Sequence, residues 1–273
     1  MRYTGVMCNA RQCCTSAFIA VLALTSPALT APSAAQECIL GLDNGAFEPS
    51  DHTRVIQAAM DNLLPLLGQI GIREHILEGT APESENILRA LLELRSVPDD
   101  VKDVARRVLL CVPVLDAGSN PEIQRLRNSA AVVEALRRLR SATDLDLNEL
   151  VDALQAIADG RNIDDKTKAA LISTIEIASD GSESIYSTEH DYYQALTAAE
   201  DTPNEAEASA RNHVRDILAD DLSHALVGAL TGCIIAITSG CAAGAASGAA
   251  IGALGGSLQP VVRKGLSLLR GEL

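Results

Sequence analysis

Apolar residues recur at helical spacing through residues 50 to 222. Leu147, Leu150 and Leu154 repeat every three or four positions, and Gly160 then supplies a helix stop. No strand-like alternation of useful length interrupts these runs. The pattern predicts an all-α fold, an irregular bundle of about eight helices followed by a Gly/Ala-rich hydrophobic helix or helical hairpin.

Helix start signals support this prediction. Asn120 followed by Pro121 combines a capping side chain with a proline suited to the first helical turn. Thr80 and Glu83 have the spacing of a capping box. The domain therefore carries both the apolar periodicity and the local chemistry of successive helices.

The most unusual pattern is GALTGCIIAITSGCAAGAASGAAIGALGG, residues 228 to 256, within a stretch from 225 to 258 that has no charged side chain. A Gly inside a helix costs roughly 1 kcal/mol relative to Ala, so a repeated Gly implies close approach of another surface. Small residues at every fourth position predict a groove that a second helix enters, in a membrane or in self-association. These positions are Gly228, Gly232, Ala236, Gly240, Gly244, Gly248, Gly252 and Gly256.

Three architectures fit this stretch. As one straight helix it would extend about 51 Å at 1.5 Å per residue, and a bilayer's hydrocarbon core is roughly 30 Å thick, so only part could span. The first architecture is a single transmembrane helix that self-associates through its groove. The second is a hairpin turning near Thr238-Ser239-Gly240, each arm of which is too short to cross alone. The third is the same hairpin buried within the helical domain.

The N-terminus has the composition of an export signal. Arg2 and Arg11 precede the apolar run AFIAVLALT, and Ser33-x-Ala35 offers a small-x-small cleavage pattern. We therefore predict an exported protein, periplasmic or secreted and associated with a membrane. The predicted organisation is a signal peptide at 1–35, a linker with Cys38 at 36–49, an acidic helical domain at 50–222, the glycine-zipper segment at 223–258 and a basic amphipathic tail at 259–273.

Four cysteines remain after removal of the signal: Cys38, Cys111, Cys233 and Cys241. They allow two disulfides in three connectivities, and the sequence alone does not choose among them. Pairing Cys38 with Cys111 and Cys233 with Cys241 would keep each bridge within one region. In a continuous helix the latter two would lie about 12 Å apart along the axis, beyond disulfide reach. A bridge between them therefore demands a turn.

The formal charge of −14 argues against a nucleic acid partner, whose backbone is bound by a surplus of Lys and Arg. Charges also flank the uncharged stretch unevenly. Asp220 and Asp221 precede it, whereas Arg263, Lys264 and Arg270 follow it. This asymmetry predicts that the basic tail lies on the cytoplasmic or headgroup side of a membrane.

Catalytic motifs are missing from the predicted mature chain, which has no phosphate loop, zinc-protease motif, nucleophile elbow or C-x-x-C pair. We therefore predict no catalytic residue, no cofactor and no metal site. One set of polar residues lines a helix face at spacings of three, four and four, which could hold a divalent cation, act as a proton-sensitive collar, or simply be the exposed side of an amphipathic helix. The set, which we interpret as an exposed face, is His213, Asp216, Asp220 and His224.

The glycine segment resembles the glycine-zipper segments of bacterial envelope proteins and membrane-active bacteriocins, over about one tenth of the chain. The resemblance implies anchoring, oligomerisation or permeabilisation. We predict an exported, non-enzymatic helical protein that associates with a membrane and oligomerises through this segment, as an envelope anchor or a pore-forming, bacteriocin-like protein. The alternative is a soluble periplasmic interaction module with a buried small-residue hairpin. The expected partners are membrane lipid and a second copy of the chain, with no nucleic acid and no identified protein partner.

Overall fold

Helices form all the regular structure in the part of the chain that the computed structural model describes, and the all-α prediction is confirmed. The described residues are 34–43, 47–69, 82–115, 120–141, 147–181, 203–236 and 240–271. Nine helices form what we call the outer shell: α1 (Ala34–Asp43), α2 (Pro49–Asp61), α3 (Leu63–Leu67), α4 (Ser84–Glu93), α5 (Asp99–Leu115), α6 (Pro121–Arg127), α7 (Ala130–Ser141), α8 (Leu147–Ala158) and α9 (Asp165–Gly181). Two longer helices follow: α10 (Pro203–Ile235) and α11 (Cys241–Gly271).

Local capping explains where several shell helices begin. The Asn120 side-chain oxygen accepts a hydrogen bond from the Glu122 N–H at 2.9 Å, and Pro121 is the first residue of α6, as predicted. At the start of α2, the Asp51 carboxylate accepts from the Glu48 N–H at 3.2 Å. These contacts satisfy backbone N–H groups that have no partner within the helix.

The α10 and α11 helices pack along each other and form the centre of the fold. On one side, α1 to α5 lie against α11; on the other, α6 and α7 lie against α10, and α9 contacts both long helices. Leu222, Leu226, Leu254 and Leu258 are fully or almost fully buried at this centre. The apolar C-terminal pair is therefore the core around which the shell is arranged.

The stretch 36–49, predicted to be a linker, contains most of α1. Cys38 and Leu42 lie four residues apart on one face of this helix and are buried where it packs on α5. A disulfide joins Cys38 to Cys111, which lies on the buried stripe of α5. The short apolar face and the covalent bond hold α1 against α5, so part of the predicted linker is a packed helix.

Candidate membrane-active hairpin

The chain turns between α10 and α11. The first helix ends at Ile235 and the second begins at Cys241. Gly240 has φ of +84°, a left-handed conformation that residues with a Cβ rarely adopt. A disulfide joins Cys233 to Cys241 across the turn, so the single continuous helix is excluded. We call residues 222–235 and 241–258, with the turn between them, the glycine hairpin; its tip is the turn.

The two arms of the glycine hairpin touch backbone to backbone. A Cβ atom placed on Gly228 would lie 3.0 Å from the Gly252 Cα, and one on Gly232 would lie 3.1 Å from the Gly248 Cα. These distances are tighter than nine in ten real Cβ contacts, and the added atoms would overlap the carbonyl oxygens of Gly248 and Gly244, backbone atoms that cannot swing aside as a flexible side chain can. The missing side chains are therefore what allows the arms to approach.

The same contact continues toward both ends of the hairpin. Near the tip, a Cβ on Gly244 would lie 2.9 Å from the Gly232 carbonyl carbon, and at the far end one on Gly256 would lie 2.9 Å from the Asp221 Cα. Gly255, outside the four-residue register, has nothing within 4 Å of its Cβ position. The predicted register therefore coincides with the surface between the arms, and Gly240 serves the turn.

Two stretches, one in α10 and one in α11, are long and apolar enough to cross a bilayer, and 67% of an apolar 18-residue window in each is buried within the protein. Buried core helices of soluble proteins share this property. The expectation that each arm is too short is wrong for α11, because the turn lies before the middle of the uncharged stretch and the uncharged run of α11 continues past residue 258, to Val262. From Cys241 to Val262 this helix has no charged residue and extends about 32 Å.

A polar cluster lies inside the apolar core and links the shell to both arms. His52 Nε2, on α2, is 3.1 Å from an Asp221 carboxylate oxygen on α10 and 3.2 Å from the Ser257 hydroxyl on α11. All three side chains are fully buried. Ser257 also donates to the Ala253 carbonyl at 3.0 Å. Buried polar groups of this kind need one another as partners, so the cluster fixes how the hairpin sits in the shell.

Sequence spacing does not predict this cluster. The sequence marks Asp221 only as a charge that flanks the apolar stretch and does not single out His52. The available signal was positional, because Asp221 lies on the same helix face as Leu218, Leu222 and Ala225, all of which are buried. A carboxylate on an apolar face requires a buried partner, although the sequence does not say which residue supplies it.

Two further hydrogen bonds join the shell to α11. The Ser84 hydroxyl, at the start of α4, donates to the Gly255 carbonyl at 2.7 Å. The Ser247 hydroxyl lies 3.5 Å from the Phe47 carbonyl. Most of the remaining shell contact is made by apolar side chains, so specific polar links between the shell and the hairpin are few among the described residues.

Comparisons with known proteins identify no relative: no family model, curated protein or solved structure matches this chain.

The predicted polar face of α10 lies away from the helix's apolar stripe. Asp216, Asp220 and His224 are exposed, and His213 is half-buried. His224 Nδ1 hydrogen-bonds to the Asp220 carbonyl at 2.7 Å, which holds it on its own helix. Within the described ranges, no three His, Cys, Asp or Glu side chains are grouped closely enough to hold a metal ion.

His213 differs electrostatically from the rest of this face. Burial, and secondarily the positive charge of Lys264, lower the pKa of His213 from 6.5 to about 4, with Arg263 adding to the effect and Asp216 opposing it. His213 lies ahead of the glycine hairpin, in a depression of about 540 Å³ that these side chains line. The imidazole is therefore held neutral at pH 7 beside two cations.

Proposed function

We propose that this protein is an exported, non-enzymatic helical protein that associates with a membrane by transferring the glycine hairpin from its shell into lipid. The observation that carries the proposal is that the hairpin is complete in itself: its arms are packed by backbone contact and joined at the tip by Cys233 and Cys241. An anchoring or pore-forming role, similar to that of envelope proteins or bacteriocins, is the narrower form of the same proposal.

Transfer would exchange one apolar environment for another. The backbone groups of both arms are hydrogen-bonded within their helices, as a lipid environment requires. In lipid, helices associate mainly through close packing of small residues, and the hairpin already has that packing. What the hairpin would give up is the apolar contact with the shell, which acyl chains can replace, together with the polar links at His52, Ser84 and Ser247.

The position of Asp221 limits how deep the hairpin can enter. At 1.5 Å per residue, Asp221 lies about 21 Å from Ile235 along α10, and a bilayer's hydrocarbon core is roughly 30 Å thick. With Asp221 at the headgroup level, the tip therefore reaches about two thirds of the way across, and local thinning would bring it closer to the far side. This depth favours anchoring over a wide pore.

The contacts between the arms limit how the protein could self-associate through its glycines. Gly228, Gly232 and Gly248 already pack on the opposite arm. A second copy could use these glycines only after the arms separate, and the disulfide between Cys233 and Cys241 opposes separation at the tip. Oligomerisation in a membrane would therefore use the outer faces of the hairpin, which the shell covers in the folded protein.

A tryptophan introduced near the tip tests the proposal, because the chain has no Trp of its own. Ile234 is half-buried and near the turn; the matched control is Ile172 on α9, which is 38% exposed. We expect vesicles with brominated acyl chains to quench the fluorescence of Ile234→Trp and leave Ile172→Trp unquenched, at neutral or mildly acidic pH. Absence of quenching at Ile234 under both conditions, with circular dichroism showing a folded protein, would contradict membrane entry.

The second candidate is a soluble periplasmic interaction module in which the hairpin is a permanent core. The burial of both long helices and the fully buried cluster of His52, Asp221 and Ser257 favour it. In that case neither tryptophan is quenched, and residues 225–258 resist proteolysis equally with and without vesicles. Vesicle-induced cleavage of the shell with protection of the hairpin would instead support transfer into lipid.

A further inference from the structure

Basic residues gather on one face of this acidic protein, in a groove between α6 and α7. The groove has a volume of about 800 Å³, and three arginines line it: Arg127, Arg137 and Arg140. Its lining contains no carboxylate. The last turns of α6 and α7 supply Arg127 and Arg140, together with Arg125 and Arg138.

The groove adjoins the depression at His213, because Arg140 lines both. On that side the lining adds the two cations Arg263 and Lys264 and the two carboxylates Asp216 and Asp220. Lys264 also reaches across to α10, where its Nζ lies 3.4 Å from the Ser209 hydroxyl. The joined surface therefore has five cationic side chains against two carboxylates, in a chain whose overall charge is −14.

Two of these arginines have no carboxylate within ion-pair distance among the described residues. Arg137 is already paired with Glu134, which also binds Arg138 at 2.8 Å. Arg127 and Arg140 form no such pair in the described part of the chain. Their guanidinium groups keep the full set of donors with which arginine binds phosphate oxygens.

We infer that this surface, which we call the basic surface, docks the protein on the phosphate-bearing headgroups of an anionic membrane. The inference rests on the proposed function and adds the lipid class that the protein selects. Val133 is 51% exposed within the groove, so an apolar side chain lies among the cations where headgroups meet acyl chains. Anionic lipid attracts each Lys or Arg near its surface, and one basic face on an acidic protein also orients it.

The position of the basic surface fits a docked hairpin. Arg263 and Lys264 lie in α11 just beyond the hairpin, and Asp216 and Asp220 lie in α10 just before it. These residues are at the end of the hairpin opposite its tip. When the tip is in lipid, this end lies at the headgroup level, where the cations contact phosphate.

Charge reversal at the two unpaired arginines tests the inference. Arg127→Glu/Arg140→Glu is compared with Arg95→Glu/Arg161→Glu, which changes the same net charge at two exposed arginines outside the basic surface. Flotation measures binding to phosphatidylcholine vesicles and to vesicles that also contain phosphatidylglycerol. We expect the wild type to prefer the anionic vesicles and to lose this preference at high salt. The test variant should bind the anionic vesicles at least about 25-fold more weakly than the wild type does, and the control variant should lose much less affinity.

Each outcome has a distinct meaning. Equal binding of the test and control variants overturns the inference, as does a wild type with no preference for anionic vesicles. Binding to polyglutamate but to neither vesicle overturns it in favour of an acidic protein partner. If reversal impairs folding, Arg127→Gln/Arg140→Gln replaces it, with a smaller expected loss.

The tryptophan at Ile234 separates this inference from the proposed function. Lost anionic preference with quenching retained at high lipid concentration supports the basic surface and leaves hairpin transfer intact. Anionic preference without quenching in any variant supports docking and contradicts transfer. Quenching with no anionic preference contradicts docking alone.

Discussion

The glycine hairpin and the outer shell are held together by different kinds of contact. In the shell, branched side chains such as Val101, Val104 and Val108 fill the space between helices. Between the arms of the hairpin, Gly228 and Gly232 leave no space at all, and backbone meets backbone. Shell contact is mainly apolar and needs only approximate shape, whereas contact between the arms needs an exact fit. Substitutions should therefore be tolerated least between the arms of the hairpin and most in the shell around it.

Removing the two disulfides should give the largest effects on stability, and it compares the two regions because one disulfide lies in each. The disulfides close loops with sequence separations of 73 and 8 residues. By chain entropy, Cys38→Ala/Cys111→Ala should lower the free energy of unfolding by about 4 kcal/mol, and Cys233→Ala/Cys241→Ala by about 2.5 kcal/mol. Urea unfolding measures both. A reversed order would mean that the tip carries more of the stability than loop length implies.

The polar cluster that joins the two regions should give the next largest effect. His52→Leu removes the imidazole that the Asp221 carboxylate and the Ser257 hydroxyl share, and we expect a loss of about 3 kcal/mol. His52→Leu/Asp221→Leu should be more stable than the sum of the two single changes predicts, because neither buried polar partner is left alone. Strictly additive losses in the double-mutant cycle would show that the two side chains do not interact.

Glycines inside and outside the contact between the arms should respond in opposite directions. Gly232→Ala places a Cβ against the Gly248 backbone, so the arms must separate, and we expect a loss of about 2 kcal/mol. Gly255→Ala meets nothing within 4 Å and should instead gain up to about 1 kcal/mol from helix propensity. Thermal unfolding distinguishes the pair. Similar changes in both variants would refute backbone contact between the arms.

The smallest expected effect concerns His213 and acid. Because its pKa is lowered to about 4 in the folded protein, the unfolded chain binds a proton more readily, and stability falls as pH drops from about 6.5 to about 4. His213→Gln should make this decline shallower, as followed by melting temperature across that window. Asn212→Gln, at an exposed neighbour, is the control and should keep the wild-type slope.

Local features of this fold were predictable because they depend on nearby residues. The cap at Asn120 and the buried stripe that contains Leu150 and Leu154 follow from spacing alone. The Gly/Ala-rich hairpin was one of the stated possibilities, and its disulfide at Cys233 decides for a turn. The glycine register also predicted close helix packing, but it did not identify the surface that packs against the glycines.

Contacts between distant residues were not predictable. His52 and Ser257 are separated by 205 residues, and no local pattern connects them. The basic surface likewise depends on how α7 and α11 each pack against α10, so that Arg140 and Lys264 line the same depression. Periodicity identifies which face of a helix is buried, but the identity of its neighbours depends on tertiary packing.

The disulfide between Cys233 and Cys241 would also constrain the topology of the proposed membrane-bound form. A hairpin closed at its tip crosses a bilayer twice or not at all, so its two flanks must stay on one side. Asp220 and Arg263, one flank acidic and one basic, would then face the same compartment. The positive-inside tendency, applied above to a single span with its flanks on opposite sides, therefore does not apply in that form to a hairpin. Its orientation would be set by the side from which it arrives.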